Sequence, residues 1–454
     1  MRVFAIPVAV LISGLLFLLA LPPADLHYLA WLAFVPLFLA VGGRGFAVGF
    51  AAGLGVCLVS MAVASWGLFY PPNLPDGNPS WIYLGFALFG LAVGLLGGLA
   101  GETKTLTVGR VLLYAAWGVL FEAAMLVYMP AHVALTQYQV PGALLVASAA
   151  GIWGVSFLVW AVNLLIAHAV AARRLRVAGA AALVPIALWA VPWSSEGREG
   201  DYTVAAIQTE AFELEDLARL NRRAGDLGAD FAVWPELSGM VASPGGDTGA
   251  LVALAAEEGQ PPFATSFQDG VRPMPHNAAA LFSGDGESAR YLKRKPFGAE
   301  SQMHRPGKQP VAIQTDQCKV GLNICYDTCF PHVMRDTVRR AGAEIILLPN
   351  MDPVSPRGVV QALHAAYTPF RAAELGVPIV RADITAHSMI VDGTGRILAR
   401  AASGTEEVIV ERVNLRRGQT LYLRLGDWFL YFCAAVAVAG LVRIRFGRTS
   451  GNRG

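Results

Sequence analysis

Charged residues are scarce in this chain of 454 residues, since Asp, Glu, Lys and Arg make up 15% against 55% hydrophobic residues. A soluble domain usually carries roughly 25% charged residues, so this composition favours a membrane protein. Five cysteines are too few for a disulfide scaffold. The net charge is only +2 and the polar part has no basic run, so we expect no nucleic-acid partner. The sequence also lacks internal repeats and low-complexity segments.

The uncharged residues are concentrated in long apolar stretches. A bilayer core of about 30 Å needs roughly 20 apolar residues in helical form. Stretches near that length lie at about 3–21, 28–42, 46–69, 81–100, 110–129, 143–171, 176–193 and 426–442. The second is short and is either a spanning or a re-entrant segment, and we interpret the first as a retained helix rather than a signal peptide. The sequence therefore predicts an α-helical transmembrane bundle of about eight helices.

Lys and Arg are missing from the loops on one side of this bundle. With a cytoplasmic N-terminus, the loops at 22–27, 70–80 and 130–142 are external, and they contain no basic residue. The basic residues that flank the apolar stretches lie in the internal segments, such as Arg44, Lys104, the cluster at 173–176 and the C-terminal tail, and this asymmetry follows the positive-inside rule. Seven crossings then place the large polar segment outside the cytoplasm. We predict a transmembrane domain at 1–193, an extracytoplasmic domain at 194–422, and a C-terminal helix with a basic cytoplasmic tail at 423–454.

Two polar residues, Glu122 and Asn163, lie within the apolar stretches. A polar group at membrane depth is costly unless it faces a cavity or a hydrogen-bonding partner. Each residue therefore either lines a functional cavity or forms a helix-packing hydrogen bond, and the sequence leaves both alternatives open.

The polar segment 194–422 alternates between strand and helix patterns. Strands are predicted at YTVAAIQ, DFAVW, PPFATSF, NAAALFS, KVGLNIC, EIILLPN, PIVRAD, HSMIVD and EEVIVERV, and helices at 331–341, 358–376 and within 211–229. Several of these strands end abruptly at polar or reactive residues. Active sites of α/β folds gather at such strand ends, so the pattern predicts one α/β domain with a site there.

Three residues of this domain could carry chemistry: Glu236 after Trp-Pro at a strand end, Lys293 in a basic stretch, and Cys325 between a strand and a predicted helix. A carboxylate can accept a thiol proton, the thiolate can attack a carbonyl, and an ammonium can stabilise the oxyanion. A helix N-terminus and a nearby lysine usually lower the pKa of a cysteine, so we expect an accessible thiolate. Each residue alone also fits a structural role in packing, in a helix start or on a solvated surface.

Taken in order, these segments resemble the nitrilase superfamily and, within it, the apolipoprotein N-acyltransferases. WPE at 234–236 is similar to the glutamate motif of that family, and NICYD at 323–327 to its cysteine motif. Tyr291-x-Lys293 followed by Pro-Phe-Gly is similar to its lysine motif. Apolar segments resemble the family too: AWLAFVPLFLA (30–40), WGVLFE (117–122) and GIWGVSFLVWAVN (151–163). The resemblance covers nearly the whole chain.

The resemblance implies a nitrilase-like α-β-β-α sandwich with Glu236, Lys293 and Cys325 as catalytic residues. It implies that Cys325 takes a fatty acyl chain from a membrane phospholipid as a thioester. The chain then passes to the N-terminal amine of a diacylglyceryl-cysteine lipoprotein. Glu300, Tyr326 and Asp327 are expected to support the site or to bind substrate.

The same resemblance implies a multi-pass enzyme of the bacterial inner membrane with its catalytic domain on the periplasmic face. We expect a monomer that needs no cofactor and no metal. Cys325, Cys329 and His332 form a C-x3-C-x2-H pattern, but a tetrahedral metal site needs four ligands and the sequence offers no evident fourth.

Several positions depart from the family pattern. Only two residues separate Lys293 from Pro296, so Lys295 is a rival, although Lys293 keeps the Tyr-x-Lys spacing. Glu300 is displaced by one position, and Asp327 stands where a glutamate is expected. The loops MDPVSP (351–356) and MPAH (129–132) lack the aromatic residues of the family, which leaves the lipid substrate open. The alternative is a membrane-bound nitrilase-type amidase that hydrolyses a small C–N substrate.

Overall fold

The structure is a computed structural model of the chain. It describes residues 5–65, 80–104, 106–125, 132–193, 202–270, 274–298, 300–352, 359–415 and 419–450. The chain divides into two compact units, one comprising Met1–Val191 with Asp427–Gly454 and the other comprising Pro192–Gly426.

The first unit is helical in its described parts. Its helices are α1 (Ala5–Ala20), α2 (Val35–Val41), α3 (Phe46–Ser65), α4 (Ser80–Gly101), α5 (Val108–Met125), α6 (Pro141–Ala171), α7 (Leu175–Trp189) and the C-terminal α14 (Trp428–Ser450), with short 3-10 helices at His27–Trp31 and Val133–Gln137. Among the described residues, α5 and α6 are long and apolar enough to cross a bilayer, and six further apolar helical segments are shorter. A helical N-terminal region is therefore present, and two of its helices have spanning length.

The two polar residues within the apolar stretches of this unit have hydrogen-bond partners there. Glu122 on α5 accepts hydrogen bonds from Ser156 Oγ (2.6 Å), Trp160 Nε1 (2.8 Å) and the backbone N–H of Val133 (3.3 Å), and its other close neighbour is His132 Nδ1 at 3.2 Å.

Asn163 on α6 forms hydrogen bonds with the backbone of the interrupted helical segment at residues 27–41. Its Oδ1 accepts from the backbone N–H of Phe34 at 2.9 Å, and its Nδ2 donates to the carbonyl of Ala30 at 2.9 Å. These bonds satisfy backbone groups where the segment departs from helical geometry between Trp31 and Val35. The contacts of Glu122 and Asn163 are thus those of helix packing.

The second unit contains two β-sheets. The first has the strand order β13-β1-β2-β3-β4-β5, with β6 also paired to β4, and the second has the order β12-β11-β10-β9-β8-β7. The strands are β1 (Tyr202–Gln208), β2 (Phe231–Val233), β3 (Phe263–Asp269), β4 (His276–Ser283), β5 (Gly286–Glu287), β6 (Tyr291–Leu292), β7 (Val311–Gln314), β8 (Lys319–Leu322), β9 (Ile345–Pro349), β10 (Ile379–Ala382), β11 (Met389–Val391), β12 (Ile397–Arg400) and β13 (Glu407–Val413). Strands β1, β2 and β3 run parallel to one another, as do β8, β9 and β10.

The two sheets pack face to face, with helices on their outer faces. Alternating residues such as Val204 and Val233 of the first sheet share one apolar core with Val320, Leu347 and Val380 of the second. The intervening residues pack against α8 (Leu214–Asp226) and α9 (Gly249–Ala255) on one side, and against α11 (Pro331–Arg339) and α12 (Val359–Leu375) on the other. Two short helices, α10 (Glu300–Met303) and α13 (Leu421–Leu425), complete the unit. The result is an α-β-β-α sandwich, because each sheet buries both of its faces.

Every strand predicted from the sequence overlaps a strand of the structure, because alternation and β-branched runs identify buried strands well. The short strands β5, β6, β7 and β12 were not predicted. They are edge or hairpin strands of two to four residues, too short to show a period.

The carboxylate of Glu122 offers a test of the helical unit. Glu122→Ala leaves the buried donors of Ser156 and Trp160 without an acceptor, which we expect to cost roughly 2–4 kcal/mol. The melting temperature of the purified chain in detergent should therefore fall clearly, whereas Glu102→Ala, at an exposed position, should leave it nearly unchanged. Equal melting temperatures for the two variants would contradict a packing role for Glu122.

Candidate active site

The site lies where parallel strands of both sheets end. Glu236 follows β2 in the first sheet, and Cys325 follows β8 in the second. The backbone N–H of Glu236 donates to the carbonyl of Asn350, just beyond β9, at 2.9 Å, which ties the strand ends of the two sheets together. Cys325 begins a 3-10 helix that extends to Cys329, and its φ of 46° lies in the left-handed region that few non-glycine residues adopt. Such local strain is characteristic of functional positions.

A buried lysine joins two glutamates at this point. Lys293 Nζ lies 2.7 Å from Glu236 Oε1 and 2.6 Å from Glu300 Oε2, and its side chain is only 2% exposed. Asn277 Nδ2 donates to the same two carboxylates, at 2.7 Å to Glu236 and 2.9 Å to Glu300. The N–H of Phe297 donates to Glu300 at 2.8 Å. Lysine and asparagine together therefore fix the positions of both carboxylates.

The thiol of Cys325 completes the cluster. Its buried sulfur lies near the carboxylate of Glu236 and the backbone N–H of Met351, and both groups affect the pKa of the thiol. Burial, followed by the charge of Glu236, raises the pKa of the thiol well above its ordinary value, although Lys293 opposes the shift. The expectation of a lowered cysteine pKa was therefore wrong. The thiol is buried beside a carboxylate, and the helix that it begins has only five residues and hence a weak dipole.

The two glutamates differ in their electrostatics. Burial and the neighbouring charge of Glu300 raise the pKa of Glu236, although Lys293 opposes this. Burial also acts to raise the pKa of Glu300, but Lys293, Asn277 and the Phe297 N–H outweigh it and lower that pKa. Burial acts to lower the pKa of Lys293, but Glu236, Cys325 and Glu300 raise it well above its ordinary value. One permanent cation thus balances an ionised Glu300, and Glu236 is the carboxylate that accepts a proton most readily.

The remaining residues singled out in the sequence also lie around this cluster. Asp327 accepts hydrogen bonds from Tyr291 Oη at 2.7 Å and from the N–H groups of Lys295 and Ile324 at 2.9 and 3.1 Å. Burial raises its pKa to about 6. Asp327 thereby fixes the lysine-bearing segment against the cysteine-bearing segment.

Lys295 and Tyr326 lie beside the cluster. The ammonium of Lys295 lies 4.7 Å from the ring centroid of Phe330, so the structure brings Lys293, and not its rival, to the glutamates. Tyr326 packs edge-on against Phe297 and Phe330, with ring centroids 4.6 and 5.1 Å apart. It thus forms an apolar wall next to Cys325.

Sequence reasoning missed a polar network on a further side of the cysteine. His364 Nδ1 lies 2.7 Å from Asp352 Oδ2, and His364 Nε2 lies 3.2 Å from the carbonyl oxygen of Cys325. The guanidinium of Arg381 contacts both Asp352 and Asp383. Asn277 was missed as well. The one available signal for these residues is their position in the strands: Asp352 and Asp383 follow the ends of β9 and β10, and Asn277 lies at the start of β4.

A sulfur of Cys325, an oxygen of Asp352 and a ring nitrogen of His364 lie within 4.8 Å of one another, close enough to share a metal ion. The carboxylate of Asp352 is already engaged by His364 and Arg381. Neither Cys329 nor His332 of the C-x3-C-x2-H pattern belongs to this group.

Two loops that depart from the family pattern fall mainly outside the described residues. These are MDPVSP, of which only Met351 and Asp352 are described, and MPAH, of which only His132 is described.

Comparison with known proteins shows which families the chain is similar to. The family model for carbon-nitrogen hydrolases matches residues 203–422, and the model for the apolipoprotein N-acyltransferase N-terminal domain matches residues 13–165. The apolipoprotein N-acyltransferase of Geobacter metallireducens is 28% identical over 97% of this chain and 95% of its own length. That of Gloeobacter violaceus is 26% identical over 96% of this chain and 93% of its own length. Over nearly its whole length the chain is similar to apolipoprotein N-acyltransferases.

The α-β-β-α unit of the chain is the part that matches the carbon-nitrogen hydrolase model, and it is nitrilase-like. Among solved structures, an amidase from Nesterenkonia sp. is 21% identical to the chain, with a TM-score of 0.43, over 53% of this chain and 98% of the amidase.

The buried lysine of the site gives a prediction about stability. Lys293→Ala leaves two buried carboxylates without a cation, which we expect to destabilise the chain by about 3–5 kcal/mol. Without the lysine, burial raises the folded-state pKa of both glutamates, so the folded state binds protons more readily than the unfolded state. The loss of stability caused by Lys293→Ala should therefore be greatest at pH 8. It should decrease as the pH falls through the raised pKa values of the two glutamates.

Melting temperatures at pH 8 and pH 5 measure this effect, with Lys295→Ala as the matched control. That neighbour contacts an aromatic ring, so its loss should cost only about 0.5–1 kcal/mol, with little pH dependence. A deficit for Lys293→Ala that is equal at both pH values would show that the two glutamates do not depend on this cation.

Proposed function

We propose that the chain is an acyltransferase that moves a fatty acyl chain from a membrane phospholipid, through a thioester on Cys325, to the N-terminal amine of a diacylglyceryl-cysteine lipoprotein. The proposal is carried by the buried cluster in which Lys293 lies 2.7 Å from Glu236 and the charges of both residues act on the thiol of Cys325. The curated relatives that match nearly the full length of the chain are named apolipoprotein N-acyltransferases. Glu236, Lys293 and Cys325 are the proposed catalytic residues.

In the first half-reaction Glu236 accepts the proton of the Cys325 thiol, and the sulfur attacks the carbonyl carbon of a phospholipid ester. The ammonium of Lys293 and backbone N–H groups near Cys325 stabilise the negative oxygen of the tetrahedral intermediate. As the C–O bond breaks, Glu236 gives its proton to the departing alkoxide, so a lysophospholipid leaves and the acyl thioester remains. The high thiol pKa fits this order of events, because the thiol keeps its proton until substrate is present.

In the second half-reaction the amine of the lipoprotein attacks the thioester carbonyl. Glu236 accepts the proton that the amine nitrogen loses, an amide bond forms, the C–S bond breaks, and Glu236 passes that proton to the sulfur of Cys325. Glu300 keeps Lys293 charged throughout, and Tyr326 and Asp327 shape and fix the segment that carries the nucleophile. The proposed cycle uses side chains and backbone N–H groups of this protein, with no cofactor.

Both substrates are lipids, which accounts for a catalytic domain attached to apolar helices. We propose a bundle of about eight transmembrane helices at 1–193 and 423–454, with the catalytic domain 194–422 on the periplasmic face of the bacterial inner membrane. The two helices of spanning length, the further apolar helices and the absence of Lys and Arg from alternate loops support this arrangement. The enzyme is proposed to work as a monomer.

The thioester is the direct test. After incubation with phospholipid alone, the intact mass of the purified protein should increase by one acyl chain, and hydroxylamine should remove the added mass. Cys325→Ala should show no adduct, and Glu236→Gln and Lys293→Ala should form it about 10²- to 10⁴-fold more slowly. Lys295→Ala, the matched control, should stay within a few-fold of the parent. A folded parent protein that forms no adduct would overturn the lipid-donor mechanism in favour of a small-substrate amidase.

The pH dependence of thioester formation tests the role of Glu236. The carboxylate must be ionised to accept the thiol proton, so the rate falls as the pH falls through the raised pKa of Glu236. Glu300→Gln removes a negative neighbour that helps to raise this pKa, so the midpoint of the acid limb should move to lower pH. Glu257→Gln, at an exposed position in the turn after α9, should leave the midpoint unchanged. A midpoint that is unmoved by Glu300→Gln would show that another group controls the limb.

A further inference from the structure

The second half-reaction of the proposed function releases more protons than Glu236 can hold. An α-amino group has a pKa of about 7.7–8.0, so near neutral pH it arrives largely as an ammonium. Forming an amide from an ammonium releases two protons, one before attack and one as the C–N bond forms. One of them returns to the sulfur of Cys325 through Glu236, which accepts a single proton. The other proton needs a second acceptor beside the thioester.

His364 lies where such an acceptor is needed. One of its ring nitrogens and an oxygen of Asp352 form, with the sulfur of Cys325, a group of three atoms within 4.8 Å of one another. Its side chain is 10% exposed and that of Asp352 is 14% exposed, whereas those of Glu236 and Lys293 are only 5% and 2% exposed. The pair formed by His364 and Asp352 therefore lies on the more open side of Cys325, and Glu236 lies on its closed side.

The hydrogen bonds of His364 suit a group that gains and loses a proton. With Nδ1–H directed at Asp352, the neutral ring has the lone pair of Nε2 on the side of Cys325. Once Nε2 gains a proton, its N–H has an acceptor in the Cys325 carbonyl at 3.2 Å, and the charge of the ring is paired with Asp352 at 2.7 Å. Both contacts favour the protonated ring that the reaction would create.

Asp352 is held as the anion that this role requires. Burial acts to raise its pKa, but His364 and Arg381 outweigh burial and lower it. Arg381 is fully buried and also contacts Asp383, so the carboxylate of Asp352 has a fixed support behind it. This arrangement orients the imidazole in the way that a carboxylate orients a catalytic histidine.

We infer that His364, positioned by Asp352, is the second proton acceptor of the reaction and takes the surplus proton of the incoming ammonium while Glu236 manages the proton of Cys325. In balance, the ammonium loses one proton to His364 and becomes the neutral amine. The amine attacks the thioester carbonyl, and its second proton passes through Glu236 to the sulfur as the C–S bond breaks. The imidazolium of His364 then releases its proton to water. This inference rests on the proposed function, because only an amine acceptor creates the surplus proton.

The experiment separates the two half-reactions. Acyl-enzyme is prepared from phospholipid for the parent, His364→Gln, Asp352→Asn and the matched control His332→Gln, which changes an exposed histidine of the same domain. Each is then mixed with a synthetic diacylglyceryl-cysteinyl peptide or with hydroxylamine, and the decay of the thioester is followed by intact mass. Hydroxylamine is largely neutral at pH 7, so it needs no second acceptor.

We expect all four proteins to form the acyl-enzyme within about 3-fold of one another. His364→Gln and Asp352→Asn should lose about 10²-fold or more in the decay with the lipopeptide but little in the decay with hydroxylamine. Equal decay with the lipopeptide in parent and variants would overturn the inference. An equal loss with both nucleophiles would also overturn it, since it would indicate a purely structural role. Failure of the parent to form any acyl-enzyme would instead remove the proposed function itself, and the inference with it.

Discussion

The site depends on one buried cation placed between two carboxylates. Lys293 has Glu236 on one side and Glu300 on the other, all three largely removed from water, so a single positive charge balances two acids. Breaking such an arrangement is costly, because any member left alone is a buried charge without a partner. The same arrangement divides the roles of the acids: Glu300 stays ionised, while the pKa of Glu236 is raised and it can exchange a proton with Cys325.

The sandwich fold is what makes this arrangement possible. Glu236 follows a strand of one sheet, Cys325 follows a strand of the other, and the N–H of Glu236 bonds the carbonyl of Asn350 across the two. Lys293 directly follows the short strand β6, and Asn277 lies in the neighbouring strand β4. Residues as far apart in the sequence as Glu236 and Asn350 therefore meet only because two sets of parallel strands end at one place.

The features of the fold and of the site that depend on local sequence pattern could be predicted from the sequence. Long buried strands show their period, and Glu236 and Cys325 stand at strand ends with recognisable neighbouring residues. The sequence could not predict quantities that are set by tertiary contact. The raised thiol pKa of Cys325 comes from burial and from Glu236, and the Asp352–His364 pair joins a loop to a helix. In the helical unit, apolar composition identified the helices. The position of Asn163 against the backbone of Phe34 is again a contact between distant segments.

The central claim is that Cys325 carries the acyl chain on its way to an amine. The most direct measurement is a chase of isolated acyl-enzyme that bears a labelled acyl chain and has been freed of phospholipid. On addition of a diacylglyceryl-cysteinyl peptide, the account predicts that the label moves to the N-terminal amine of the peptide as an amide, at a rate no slower than overall turnover. Label that appears mainly as free fatty acid, or that leaves the protein more slowly than turnover, would contradict the account.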